Sequence, residues 1–136
     1  MKIVLDEGAK LPTRAHPYDA GLDLYAMESG FVFSDSSNTF DTGVHVQIPE
    51  SCVGFIKSKS GLMVKHGILT DGTIDCGYTG SVRVCLFNQS ENDFYVEAGD
   101  KIAQLVIVPC VLLPLEEVDS LEETDRGDGG FGSTGR

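Results

Sequence analysis

An all-β fold of sandwich, jelly-roll or barrel type is what this 136-residue chain predicts. Three observations carry the expectation: segments in which apolar and polar residues alternate, turn-forming residues at short intervals, and 16 glycines with almost no helix-period pattern. Alternation is cleanest in VHVQI at 44–48 and SVRVCLF at 81–87, the mark of half-buried strands. FVF at 31–33, VGFI at 53–56 and FYV at 94–96 are shorter strand candidates, and residues 102–108 form a nearly continuous apolar run around Gln104. ESG at 28–30, DTG at 41–43, PES at 49–51, residues 88–93 and AGD at 98–100 read as the turns between them. GTIDCGYTG at 72–80 reads as entering and leaving paired strands. One short helix interrupts the pattern, with Ser60 as its N-cap, residues 61–66 as its turns and Gly67 as its stop. Apolar density falls after Pro114, which sets a folded body over residues 1–115 and an acidic linker with a glycine-rich arm over 116–136.

Composition narrows the function classes. A formal net charge of −11 disfavours nucleic acid as a partner, because backbone binding needs Lys and Arg to neutralise phosphates. A small anionic ligand would need local cations, which draws notice to Lys57, Lys59, Arg126 and Arg136. No apolar run is long enough to span a membrane, and the first residues lack a signal-peptide pattern, so a cytoplasmic location without a membrane partner is expected. The four cysteines form no CxxC pair, and His16, His45 and His66 stand singly, so no structural zinc site is signalled.

Four segments hold residues suited to chemistry, each with an ordinary structural alternative. KSKSG at 57–61 places cations and hydroxyls at the start of the expected helix, where unpaired amides favour phosphate, or else it is a capped surface turn. Asp75, between Ile74 and Cys76, either orients and deprotonates a water or bonds turn amides, and Tyr78 either packs on a sugar or base or is sheet surface. Asp23, between Leu22 and Leu24, calls for a cationic partner, a metal-bound water or plain solvent. The last eleven residues, RGDGGFGSTGR, combine backbone freedom with phosphate donors and one flat apolar face. By composition alone they fit a flexible terminus better than a lid.

Taken together and in order, AGLDLYA at 20–26, KSGLMVKHG at 59–67, GTIDCGYTGSVRVCLFN at 72–88, GDKIAQLVI at 99–107 and RGDGGFGSTG at 126–135 resemble the five motifs of the trimeric deoxyuridine triphosphate nucleotidohydrolases, the dUTPases. The resemblance spans nearly the whole chain. It implies a jelly-roll (β-clip) subunit with one short helix and a mobile C-terminal arm, assembled as a homotrimer with active sites at the subunit interfaces. It also implies hydrolysis of dUTP to dUMP and pyrophosphate with Mg2+, supplying dUMP for dTTP synthesis and keeping uracil out of DNA.

Carried over residue by residue, the resemblance makes Asp75 the carboxylate that activates water for attack on the α-phosphorus. Lys59, Ser60, Gly61, Gln104, Arg126, Ser133 and Thr134 would bind phosphates. Gly72, Thr73 and Ile74 would read the base edge, Tyr78 would lie against the deoxyribose, Phe131 would stack on uracil, and Asp23 would reach the magnesium ion through water. Lys59 stands where arginine is usual, Gly77 where many members carry a second aspartate, and Thr79 where many carry arginine. A dCTP deaminase-related enzyme and a non-catalytic dUTP-binding regulatory module are the rival readings; the intact Asp75 and the complete tail argue against the second.

Overall fold

The computed structural model describes residues 1–130. Its elements run β1 (Lys2–Leu5), β2 (Gly21–Tyr25), β3 (Gly30–Val32), β4 (Ser37–Gln47), β5 (Cys52–Lys57), α1 (Ser60–His66), β6 (Ile68–Leu69), β7 (Asp71–Ile74), β8 (Ser81–Asn88), β9 (Phe94–Val96) and β10 (Lys101–Pro109). All strand pairs are antiparallel. One sheet has the order β1-β4-β8-β6, the second β2-β10-β5-β7, and β3 pairs with β9 in a two-stranded ribbon. Spatial neighbours are seldom sequence neighbours, the long crossing connectivity expected of a jelly roll.

Alternation explains the layers. Val82, Val84 and Leu86 of β8 are fully buried while Arg83 and Phe87 of the same strand face outward. Leu24, Ile56, Ala103 and Leu105 bring the second sheet's inner face into the same core, and Val32 and Val96 seal it from the ribbon. Among the described residues no helix is long and apolar enough to cross a membrane.

Three expectations need correction. DTG at 41–43 is no turn but a bulge inside β4, which shifts register between Asp41↔Arg83 and His45↔Ser81. The buried Thr42 hydroxyl donates to the Val82 carbonyl across that bulge, 2.6 Å away, so a turn-like triplet is absorbed into a long strand that begins at Ser37. Residues 72–80 do not join paired strands: β7 and β8 belong to different sheets, and residues 75–80 carry the chain from one to the other. The helix begins at Ser60 rather than after it; Lys59 is the N-cap residue and makes no side-chain cap bond. Gly67 ends the helix as expected, with φ 66° and its amide donating to the Met63 carbonyl.

Candidate functional site

The second sheet builds a polar row on its outer face. Register places Asp23 of β2 opposite Gln104 of β10, Gln104 opposite Lys57 of β5, and Lys57 opposite Asp71 of β7. Directly opposed residues share a face, so an acid, an amide, a cation and a second acid cross all four strands in line. A cavity of about 400 Å³ opens over this row, and Asp19, Asp23, Lys57, Lys59 and Gln104 all line it.

Asp23 is the most enclosed polar group here, with only 7% of its surface exposed. Lys59 pairs with one of its oxygens, and the Lys101 ammonium lies 2.7 Å from the other. Burial pushes the Asp23 carboxyl up, but the hydrogen bonds and charges of Lys101 and Lys59 outweigh it and hold the group below the ordinary carboxylate value. Hydrogen bonding to Asp23 likewise holds Lys101 above the ordinary amine value. Of the alternatives for this aspartate, the structure shows the cationic partner, and there are two. Lys101 belongs to the GDKIAQLVI segment, but nothing local in sequence ties it to Asp23; the β2–β10 register does.

Gln104 is held by a bond from its amide to the Ser58 carbonyl, 3.1 Å away. It lies against the backbone of Gly21, where a Cβ would fall 2.2 Å from the Gln104 Oε1. Gly21→Ala is therefore expected to expel the Gln104 side chain, destabilise the fold by about 1–3 kcal/mol and raise the KM for substrate. Urea melts and steady-state kinetics check this, and an unchanged variant would show the close approach to be dispensable.

Ser60 and Gly61 occupy the exposed first turn of α1, and a Cβ at Gly61 would meet open space, so the fold itself does not demand glycine there. Gly72, Thr73 and Ile74 lie on β7, the edge strand of the second sheet, whose outer backbone edge has no partner strand among the described residues. Asp75 is exposed at the strand's end, and its carbonyl accepts the Tyr78 amide at 3.0 Å to close a turn. Tyr78 leaves part of its ring exposed and donates its hydroxyl to the Ser81 carbonyl at 2.9 Å. Arg126 sits in a turn near the end of the described chain, donates to the Gly129 carbonyl and does not line the cavity. Phe131, Ser133 and Thr134 lie outside the described residues.

The expected site residues thus fall into two groups. Asp23, Lys59 and Gln104 converge on the cavity, whereas Asp75 and Tyr78 stand beyond the far end of β7. Three strand spacings and four residues of strand rise separate the Asp23 and Asp75 backbones by about 19 Å.

Sequence and structure comparisons agree on one family. The family model for dUTPase matches residues 7–135. A deoxyuridine 5'-triphosphate nucleotidohydrolase of Clostridium tetani is 45% identical over 98% of this chain and 94% of its own length. One from the yeast Debaryomyces hansenii is 42% identical over 96% of this chain and 83% of its own. A dUTPase mutant of Staphylococcus bacteriophage 80alpha, solved with dUpNHpp, superposes with a TM-score of 0.92 at 30% identity, covering 99% of this chain and 98% of that one. A phage phi11 dUTPase mutant whose structure concerns a structural Mg(II) ion has a TM-score of 0.82 at 29% identity, covering 90% of this chain and 98% of that one.

Proposed function

Because the chain belongs to the dUTPase family and is a deoxyuridine triphosphate nucleotidohydrolase, we propose that it converts dUTP to dUMP and pyrophosphate by attack of an Asp75-oriented water on the α-phosphorus. The observation that carries the proposal is the cavity over the second sheet, which gathers Lys57, Lys59 and the Gln104 amide beside Asp19 and Asp23 in a strongly acidic chain. Lys59 brings charge to phosphate oxygens, the Gln104 amide adds a directed donor, and Ser60 and Gly61 let the phosphates come close to the start of α1. Arg126, Ser133 and Thr134 close over the outer phosphates from the C-terminal arm, and Phe131 covers the base. The unpartnered edge of β7 at Gly72, Thr73 and Ile74 supplies backbone donors and acceptors for the polar edge of uracil, while the Tyr78 ring packs against the deoxyribose and disfavours a 2′-hydroxyl.

Among the described residues no group of three or more His, Cys, Asp or Glu is arranged to hold a metal ion. Magnesium would arrive on the triphosphate keeping its waters, and Asp23 would reach it through one of them. When bound, magnesium would neutralise phosphate charge as pyrophosphate departs. Asp75 meanwhile accepts the proton of the attacking water, which requires the carboxylate ionised and within hydrogen-bond reach.

The placement of Asp75 about 19 Å along the sheet from Asp23, away from the cavity, favours a site shared between protomers. Each site is completed by other copies in a homotrimer, and six apolar residues between 111 and 121 that lie exposed in the single chain support that assembly. Incubation with dUTP, dCTP, dTTP and UTP in the presence of Mg2+ should release dUMP and pyrophosphate from dUTP alone. Ammonia from dCTP would overturn the assignment, and a monomer in light scattering under assay conditions would overturn the shared site. With that activity the protein supplies dUMP for dTTP synthesis and keeps uracil out of DNA; its place of action is the cytoplasm.

A further inference from the structure

We propose that His45 is a positioning residue for hydrolysis: its imidazolium ties the turn bearing Asp75 to the N-terminal strand, and turnover falls when the ring loses its proton. The inference rests on the reading of Asp75 as the water-activating group.

His45 lies on β4 opposite Val4 of β1 and Ser81 of β8. Its Nδ1 is 2.9 Å from the Thr79 carbonyl oxygen, and its Nε2 is 3.2 Å from a carboxylate oxygen of Asp6. A carbonyl only accepts, and so does an ionised carboxylate. Both ring nitrogens must therefore carry hydrogens for both bonds to form, which only the imidazolium satisfies. A neutral ring keeps one bond and lets the other go.

Thr79 stands four residues after Asp75 in the segment that crosses between the sheets. Within that segment the Asp75 carbonyl holds the Tyr78 amide, and the Tyr78 hydroxyl reaches only as far as Ser81. Among the described residues, His45 makes the one side-chain hydrogen bond to residues 75–80 from a strand not flanking them. It also borders a cavity of about 600 Å³ shared by Lys2, Asp6 and Thr79, so the linkage spans open space rather than packed core.

The charged neighbours set the direction of the pH response. The bond to Thr79 contributes most to raising the His45 affinity for protons, followed by Asp6, with a smaller contribution from Asp41. Arg83 is neutralised by Asp41 at 3.3 Å, and among the described residues Lys2 is the one Lys or Arg lining the cavity beside His45. Because the folded value lies above the ordinary one, the charged ring and both bonds hold up to the unfolded value, and the charge and one of the two bonds are lost as pH rises through the folded value.

The test compares wild type, His45→Gln and Asp6→Asn by kcat and KM across pH, with hydrogen exchange at the Tyr78 amide as a second readout. Glutamine never carries charge and, like the neutral ring, cannot hold Thr79 and Asp6 together. The wild type should lose turnover roughly two- to tenfold on the alkaline side of the His45 transition, with KM little changed. His45→Gln should lose that pH limb and sit at the lower plateau with faster exchange at Tyr78, and Asp6→Asn should move the limb to lower pH. An alkaline limb that survives in His45→Gln, or exchange that does not change, would overturn the role. If the wild type released no dUMP at any pH, the Asp75 reading would fail while the exchange comparison still decided whether His45 holds the turn.

Discussion

Asp75→Asn is expected to lower dUTP turnover by roughly two to four orders of magnitude while the protein still binds dUTP. The side chain it replaces is exposed at the end of an edge strand, beside a turn closed by backbone, so the substitution removes no buried contact. Asparagine keeps the shape and one acceptor oxygen but cannot take the proton of the attacking water. The loss should fall on kcat, because an interaction made as the proton moves is absent from the bound ground state. Calorimetric titration with a non-hydrolysable dUTP analogue, alongside single-turnover kinetics, separates the two quantities. Turnover at the wild-type rate would reject Asp75 as the base, and loss of analogue binding would make it a binding residue instead.

Removal of residues 126–136 should leave a folded, assembled protein with turnover reduced roughly a hundredfold or more. Among the described residues the last strand ends at Pro109, and the core residues all precede it. Stability therefore has little to lose. What would disappear are the roles proposed for Arg126, Ser133 and Thr134 at the outer phosphates and for Phe131 at the base, with the exclusion of water that their closure would provide. Thermal melts and light scattering of the truncated protein should match the full chain while dUMP production collapses; retained activity would return the segment to the role of a plain linker.

Legibility in the sequence followed physical range. Residues 81–87 announced a strand because burial on one face imposes a two-residue period, and the apolar run around Gln104 announced the central strand β10. Asp41, Thr42 and Gly43 misled for the opposite reason: their turn chemistry is genuine, but the Thr42 hydroxyl spends it on a carbonyl of the neighbouring strand. β6, two residues long, carries no period to detect. At the site, Asp23, Lys59 and Gln104 were visible as residue types in motif order, and the structure brings them together over one cavity. Lys101 was not visible as a partner of Asp23, since 78 positions separate them and only strand register makes them neighbours. The distance between Asp75 and that cavity was equally hidden, because residues 75–80 pass to the opposite sheet instead of returning along the first.

Val111, Leu112, Leu113, Leu115, Val118 and Leu121 bear on the protein's first moments after synthesis. All six are exposed in the single chain, and Leu115 is wholly so. A ribosome that has just released such a chain has released a sticky ribbon into a crowded solution. Pro114 breaks the ribbon's capacity to pair as a strand, and Glu116, Glu117, Asp119, Glu122 and Glu123 set like charges beside its leucines. Like charges beside the leucines oppose unspecific sticking, so a surface suited to cover this ribbon must bury the leucines while leaving the acids in water.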